Sequence, residues 1–241
     1  MTSTSKLFPI WSPHNFATLT FTDAAVEPLW SGLNLDIEPG EFLAILGPNG
    51  VGKSTLLTTA LGMRRLTHGS VKVDGNLGYI PQQRMFEPSL PIRVRDLVEL
   101  AAGKNRSATD EMLEFVGATG IADRRVGTLS GGQQQLVRQA QALVSAPDFL
   151  LCDEPLLSLD PAAQRTTVER LDRHRRENDT AVVFVTHDIN PILGVCDRVL
   201  YLTPHGHAIG SVEEIITSET LSELYQTNIV VARVEGKLVI A

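Results

Sequence analysis

The chain has 241 residues, 43% of them hydrophobic and 20% charged, with a net charge of -7. That length and composition suit one domain with a substantial core, and the acidic balance argues against nucleic-acid binding by bulk electrostatics. No apolar run approaches the about 20 residues that span a bilayer, residues 1–13 carry no apolar signal core, and the two cysteines, Cys152 and Cys196, stand far apart in no metal-ligand spacing, so the expectation is a soluble, cytoplasmic chain in a reducing compartment.

After the polar lead-in, residues 16–21 and 33–37 alternate as strands, with residues 22–31 read as a loop between them. Phe42, Leu43, Ala44, Ile45 and Leu46 form an apolar run that reads as a buried strand. A glycine-rich stretch follows, and then the helical residues 56–61. Residues 69–75 and 77–80 read as short strands, the second stopped by Pro81. Residues 94–101 and 109–116 show helical apolar spacing, and no strand signal appears over about 84–145. That section reads as a helical subdomain inserted into an α/β core. A helix opens at Ser130-Gly131-Gly132-Gln133 and runs to about Val144. Residues 149–154 are a buried strand ending in Asp153 and Glu154. Residues 161–177 are helical, with Pro161 suited to a first turn. Residues 181–185 form another buried strand, ending at Thr186-His187-Asp188. A hairpin across His205-Gly206, two short helices and a strand pair at 229–234 and 237–240 complete the chain. The fold class expected is α/β: a core of mixed sheet and flanking helices, the inserted helical subdomain, and an antiparallel β part near the N-terminus. The whole of 1–241 is read as one domain.

The stretch Gly47-Pro48-Asn49-Gly50-Val51-Gly52-Lys53-Ser54-Thr55 matches the phosphate-binding P-loop, G-x-x-x-x-G-K-[ST], between a strand and a helix, so the α/β core expected is a P-loop NTPase core. Its glycines let backbone N–H groups converge on an anion, and the helix adds its positive N-terminal end. Lys53 supplies a charge for β- and γ-phosphates, and the Ser54 hydroxyl suits Mg²⁺. Asp153 and Glu154 end a strand at the edge where open α/β sheets bind ligands. Asp153 is the second candidate Mg²⁺ group, and Glu154 the candidate base for an attacking water. His187, after the next strand, is placed to donate to a γ-phosphate.

These features, with Gln82 after Tyr79-Ile80-Pro81, the Ser130-Gly131-Gly132-Gln133 signature and Ser158-Leu159-Asp160, resemble the ATP-binding subunits of ABC transporters over nearly the whole chain. The resemblance implies a head-to-tail homodimer sandwiching two ATP molecules. The P-loop of one subunit then faces Ser130, Gly131, Gly132 and Gln133 of the other. It implies that Gln82 touches Mg²⁺ or the water, that Asp160 couples the two sites, and that Phe21 is the candidate for stacking on adenine. For Phe21, packing as a core strand residue stands as an equal alternative. The resemblance also implies a membrane permease and an extracytoplasmic solute-binding protein as partners, no nucleic acid, and a place at the cytoplasmic face of the membrane. Gly78 to Gln82, followed by Pro91-Ile92-x-Val94-x-Asp96-x-Val98, is similar to importers of zinc, manganese or iron(II), with Leu90 where that pattern often has Phe. A siderophore, haem or cobalamin importer is the alternative. A soluble ABC-type ATPase acting on nucleic acid or the ribosome is a further one. Leu136 and Gln141 replace two arginines usual in the family. His205 and His207 read as hairpin-turn residues, Arg173-His174-Arg175-Arg176 as a solvated helix end, and Cys152 as packed in its strand.

Overall fold

Alternating apolar side chains build the first sheet. Leu19 and Phe21 on Thr18–Val26 (β1) and Leu33, Leu35 and Ile37 on Trp30–Ile37 (β2) all turn to one buried face. The computed structural model describes residues 17–82 and 85–240. The loop expected at 22–31 is mostly strand. β1 runs on to Val26 through two register shifts, and only Glu27, Pro28 and Leu29 separate it from β2. Asp23, at a positive φ of 45°, marks the irregularity. An extra residue of this kind breaks the period-two pattern, which is why the sequence read it as loop. Phe16 lies outside the described residues.

Phe42–Leu46 (β3) precedes the helix Lys53–Ala60 (α1), and His68–Asp74 (β4) then joins the first sheet in the order β2-β1-β4, antiparallel throughout. Leu77–Ile80 (β5) leads into three helices, Val94–Ala101 (α2), Arg106–Val116 (α3) and Gly131–Leu143 (α4). The chain returns through Phe149–Asp153 (β6), Pro161–Asn178 (α5), Ala181–Val185 (β7), Arg198–Thr203 (β8) and Gly206–Gly210 (β9). Val212–Ile215 (α6), Ser218–Tyr225 (α7), Val231–Val234 (β10) and Lys237–Ile240 (β11) follow.

The second sheet has the order β5-β6-β7-β3-β8-β9, parallel except for β9. β3, β6 and β7 are buried at every residue, the pattern of strands covered on both faces. Period two divides them between two cores. Leu43, Ile45, Leu151 and Val183 face α1 and the antiparallel sheet, whereas Ala44, Leu46, Cys152 and Phe184 face the remaining helices. The architecture is therefore mixed α/β, as expected, with an antiparallel N-terminal sheet. Cys152 is packed and its thiol is pushed up by burial.

Half of the basic run on α5, His174 and Arg175, corrects the expectation of a solvated helix end. Arg175 is buried, paired with Asp172 at 2.9 Å and Asp197 at 2.8 Å, and donates to the Gly40 carbonyl. Arg173 lies over the Phe115 ring of α3 at 4.4 Å, and His174 meets the same ring edge-on at 5.9 Å. Arg173 and Arg176 stay exposed, as expected, and Arg176 is paired to Asp172. The last turns of α5 are thus a packing surface that ties α3 to the sheet. His205 is exposed in the β8–β9 turn, and His207 is half-buried.

Burial holds His174 neutral, with its pKa pushed down to about 4 from 6.5. The folded state then binds fewer protons than the unfolded chain between those values, so stability falls as pH drops from 6.5 to 4. The full loss is about 3 kcal/mol. Urea unfolding of the parent chain between pH 7 and 4.5 should show this slope, and His174→Leu should flatten it. An equal slope in both chains would contradict it.

Candidate functional site

Four parallel strands deliver their carboxyl ends to one edge of the sheet. In sheet order these are β5, followed by Gln82; β6, ending in Asp153 with Glu154 next; β7, followed by His187; and β3, followed by the glycine-rich loop. Parallel pairing is what makes the four ends coincide, and in such sheets this edge is where ligands bind.

The loop over 47–52 needs its glycines. Gly47 has φ 135°, and a Cβ there would stand 2.0 Å from the Leu202 carbonyl of β8. Gly52 has φ 97°, and a Cβ would meet the Trp30 indole at 2.8 Å. Trp30 Nε1 donates to the Gly52 carbonyl at 3.3 Å, so the indole props the loop from below. The sequence reading missed this contact, because nothing in the local pattern pairs residue 30 with residue 52. Pro48, Asn49 and Gly50 form the outer part of the loop, with Asn49 and Gly50 exposed. Val51 is buried in the core below it.

Lys53 opens α1 and is buried, its ammonium donating to the Gly47 and Pro48 carbonyls at 2.7 and 2.9 Å. Burial lowers its pKa, against the attraction of Glu154 and Asp153. Ser54 Oγ donates to Asp153 Oδ1 at 2.8 Å, and Thr55 follows on the first turn. Asp153 is itself buried, and desolvation raises its pKa despite the Ser54 hydrogen bond and Lys53. Both groups are thus held where their charges are poorly solvated. A phosphate beside the lysine and a cation beside the carboxylate would relieve that.

Glu154 adopts φ 49°, in the left-handed region that non-glycine residues seldom occupy. Its N–H donates to the Val185 carbonyl at 3.0 Å, which fixes the turn. Its Oε2 lies 3.0 Å from His187 Nδ1. Gln82 is exposed in a bend at the end of β5. Lys53, Ser54, Asp153, Glu154 and His187 therefore form one connected cluster, with Gln82 on the same edge.

The other sequence candidates stand apart from it. Ser130 is the N-cap of α4 in a capping box with Gln133, at 3.4 Å and 3.2 Å, and Gln133 also accepts from Arg124. None of these bonds reaches the glycine-rich loop. Gly131 and Gly132 form the first turn of the helix. Asp160 is the N-cap of α5, accepting from the Ala162 and Ala163 N–H groups at 2.9 Å. Phe21 is only 1% exposed and sits among the largest core side chains, between Leu35 of β2 and Val71 of β4. The stacking candidate is corrected in favour of the core alternative, since a ring sealed in a sheet interior offers no face to a base. A further link was missing from the sequence reading. Gln135, buried on α4, donates to the Pro155 carbonyl at 3.0 Å, so the helix is bonded to the turn that carries Glu154.

Among the described residues no group of three or more His, Cys, Asp or Glu side chains is placed to hold a metal ion, and no helix is long and apolar enough to cross a membrane.

The raised pKa of Asp153 has a stability consequence. Its folded carboxyl holds the proton more tightly than the unfolded one, so stability is lost as pH rises from the unfolded value through the folded one. Removing the charge removes that loss. Asp153→Asn should therefore raise the melting temperature of the ligand-free chain at pH 7 while leaving it unchanged at pH 3.5. A lowered melting temperature at pH 7 would contradict this.

A family model described as ABC transporter matches residues 30–157. The zinc import ATP-binding protein ZnuC of Marinobacter nauticus is 34% identical over 86% of this chain and 80% of its own length. That of Pseudomonas fluorescens is 33% identical over 81% and 76%. Among solved structures, a chain of a transporter described as metal-chelate type, in an inward-facing conformation, superposes with TM-score 0.80 at 28% identity, over 93% of this chain and 96% of its own. An ATP-binding cassette solved as a dimer in a post-hydrolysis state, bound to ADP and Pi, gives TM-score 0.71 at 25% identity, over 80% and 98%. The chain belongs to the ABC transporter family, as an ATP-binding, ATP-hydrolysing subunit with a P-loop NTPase fold.

Proposed function

We propose that this subunit powers import of a divalent metal ion, zinc foremost, through a membrane permease, and that its ATP site is completed by a second copy of the chain. The observation that carries this reading is the division of the motifs. Lys53, Ser54, Asp153, Glu154 and His187 form one cluster, while among the described residues the hydrogen bonds of Ser130 and Gln133 run to each other and to Arg124, and none reaches that cluster. Gly132 supports it. A Cβ there would meet nothing within 4 Å, so no contact inside the subunit calls for glycine. Glycine in a helix costs about 1 kcal/mol against alanine. Close approach of a nucleotide held by another subunit supplies a reason for it, and the helix N-terminus at Ser130 favours an anion.

Each residue then has a role. The loop Gly47-Pro48-Asn49-Gly50-Val51-Gly52 with Lys53, Ser54 and Thr55 binds the phosphates. Ser54, Asp153 and Gln82 offer only oxygen donors to a cation, a set that suits Mg²⁺, which would neutralise phosphate charge when bound. Glu154 accepts the proton of the attacking water, and His187, held at 3.0 Å from it, donates to the γ-phosphate. Ser130, Gly131, Gly132 and Gln133 close the site from the partner copy. Asp160 caps α5 at that same boundary and couples the two sites.

We read the chain as a single ABC-type domain, with residues of about 84–145 as its helical subdomain. A groove of about 340 Å³ lies between β5 and the ends of α2 and α4, lined by Tyr79, Pro81, Ala101, Arg138, Gln141 and Ser145. It begins one residue before Gln82. Leu100 and Met85, both exposed, lie on the same subdomain. A permease segment seated there would feel every movement of Gln82, and α4 would pass that movement to Glu154 through the Gln135–Pro155 bond. We read the subunit as docked at the cytoplasmic face of the membrane, with an extracytoplasmic solute-binding protein serving the permease. Zinc follows the names of the ZnuC relatives. A metal chelate is the second reading, favoured by the metal-chelate-type neighbour at TM-score 0.80.

Glu154→Gln should keep ATP binding, trap an ATP-bound dimer and lower turnover about 10²- to 10⁴-fold. Turnover near that of the parent would remove Glu154 as the base. Affinity purification of the tagged chain in mild detergent, with partners identified by mass spectrometry, tests the transport reading. Recovery of a polytopic permease is the expected result, and its type separates ion from chelate. Ribosomes or nucleic acid without any membrane protein would overturn it.

A further inference from the structure

Three residues past His187, Asn190 uses every polar atom of its side-chain amide. Nδ2 donates to Asp188 Oδ1 at 2.8 Å and to the Leu238 carbonyl at 3.0 Å, and Oδ1 accepts from the Leu238 N–H at 2.8 Å. Asp188 Oδ1 also accepts from the Asn190 N–H at 2.9 Å. Leu238 lies on β11, 48 residues away in sequence.

The hairpin geometry explains why that backbone is available. Val234 and Lys237 close a two-residue turn in which Glu235 and Gly236 both have positive φ, 49° and 80°. That is the turn that matches strand twist. In such a hairpin the closing pair exchanges the ladder hydrogen bonds, and the next pair, Arg233 and Leu238, points its N–H and C=O groups outward. Leu238 therefore presents a donor and an acceptor side by side, and one amide side chain takes both. The opposite edge is also held. Val231 N–H donates to Ser218 Oγ at 2.8 Å on the first turn of α7. Leu238 and Val231 meanwhile pack against the core that contains Ile189 and Ile192, which flank Asn190.

From this geometry we infer that Asn190 is a positioning residue for His187, and that the hairpin β10–β11 is a brace that holds the His187 loop to α7 through it. This rests on the reading of His187 as a γ-phosphate donor. His187 has a mostly exposed side chain, and among the described residues its one recorded partner is Glu154. Its aim is thus set by the backbone of residues 186–190. That backbone is fastened at Val185 by the sheet, at Thr186 and Asp188 by their mutual bonds, and at Asn190 by the hairpin. Loss of the last fastening leaves nucleotide binding at the glycine-rich loop intact and degrades the transition state only.

The test compares five full-site proteins: parent, Asn190→Ala, a chain ending at Val230, the two changes combined, and His187→Ala. ATP affinity and the melting temperature are measured beside kcat. Asn190→Ala and the shortened chain should each lower kcat about tenfold with ATP affinity unchanged. The combined chain should be no worse than either, since both remove one interaction. Amide hydrogen exchange over residues 186–190 in the ligand-free state should speed up equally in the three. If the shortened chain fails to fold, Leu238→Pro takes its place. It removes the outward N–H while leaving the ladder whole. An unchanged kcat and unchanged exchange in Asn190→Ala, or multiplied losses in the combined chain, would overturn the brace. An unchanged kcat in His187→Ala would instead overturn the role of His187, with the exchange result still reporting on the clamp.

Discussion

Two buried charges face each other across the edge of the central sheet, and the site depends on them. Lys53 and Asp153 are taken out of water by packing that the sheet itself demands. β3 and β6 are covered on both faces, so whatever ends them is half-enclosed. Their mutual attraction and the Ser54 bond offset part of the desolvation but not all of it, which is why both pKa values move toward the neutral forms. A site held in this condition gains more from a bound phosphate and cation than a solvated one would. Stability is given up in the empty state and recovered on binding.

The rest of the fold serves that edge. The antiparallel sheet and Trp30 press the glycine-rich loop into place from one side. On the other side α4 and α5 carry the signature and Asp160 on helix caps, so their positions are fixed by backbone geometry. α5 joins the sheet to α3 through Phe115, Arg173 and His174. In the function proposed, each of these connections would carry or absorb movement of the helices relative to the sheet.

Much of this could be read from residues alone, for definite reasons. Strands buried on both faces appear as unbroken apolar runs, so β3, β6 and β7 were legible nearly to the residue. The helices α2 and α4 were legible from their apolar spacing and from Ser130 followed by Gln133. The failures share one cause, which is contact between residues distant in sequence. β1 hides behind its bulges. Phe21 alternates as a strand residue would whether it meets a base or a core. His174 and Arg175 look solvated until Phe115 and Asp197 are brought to them. The left-handed turn at Glu154 and the Asn190–Leu238 bond leave no local trace at all.

The central claim is that one subunit holds half of the catalytic machinery. Specific ATPase activity of the purified chain, measured over a hundredfold range of protein concentration, tests it directly. The account predicts activity per subunit that rises with concentration and then saturates as dimers form. Activity per subunit that stays constant down to the lowest concentration, with the chain monomeric there by sedimentation, would contradict it.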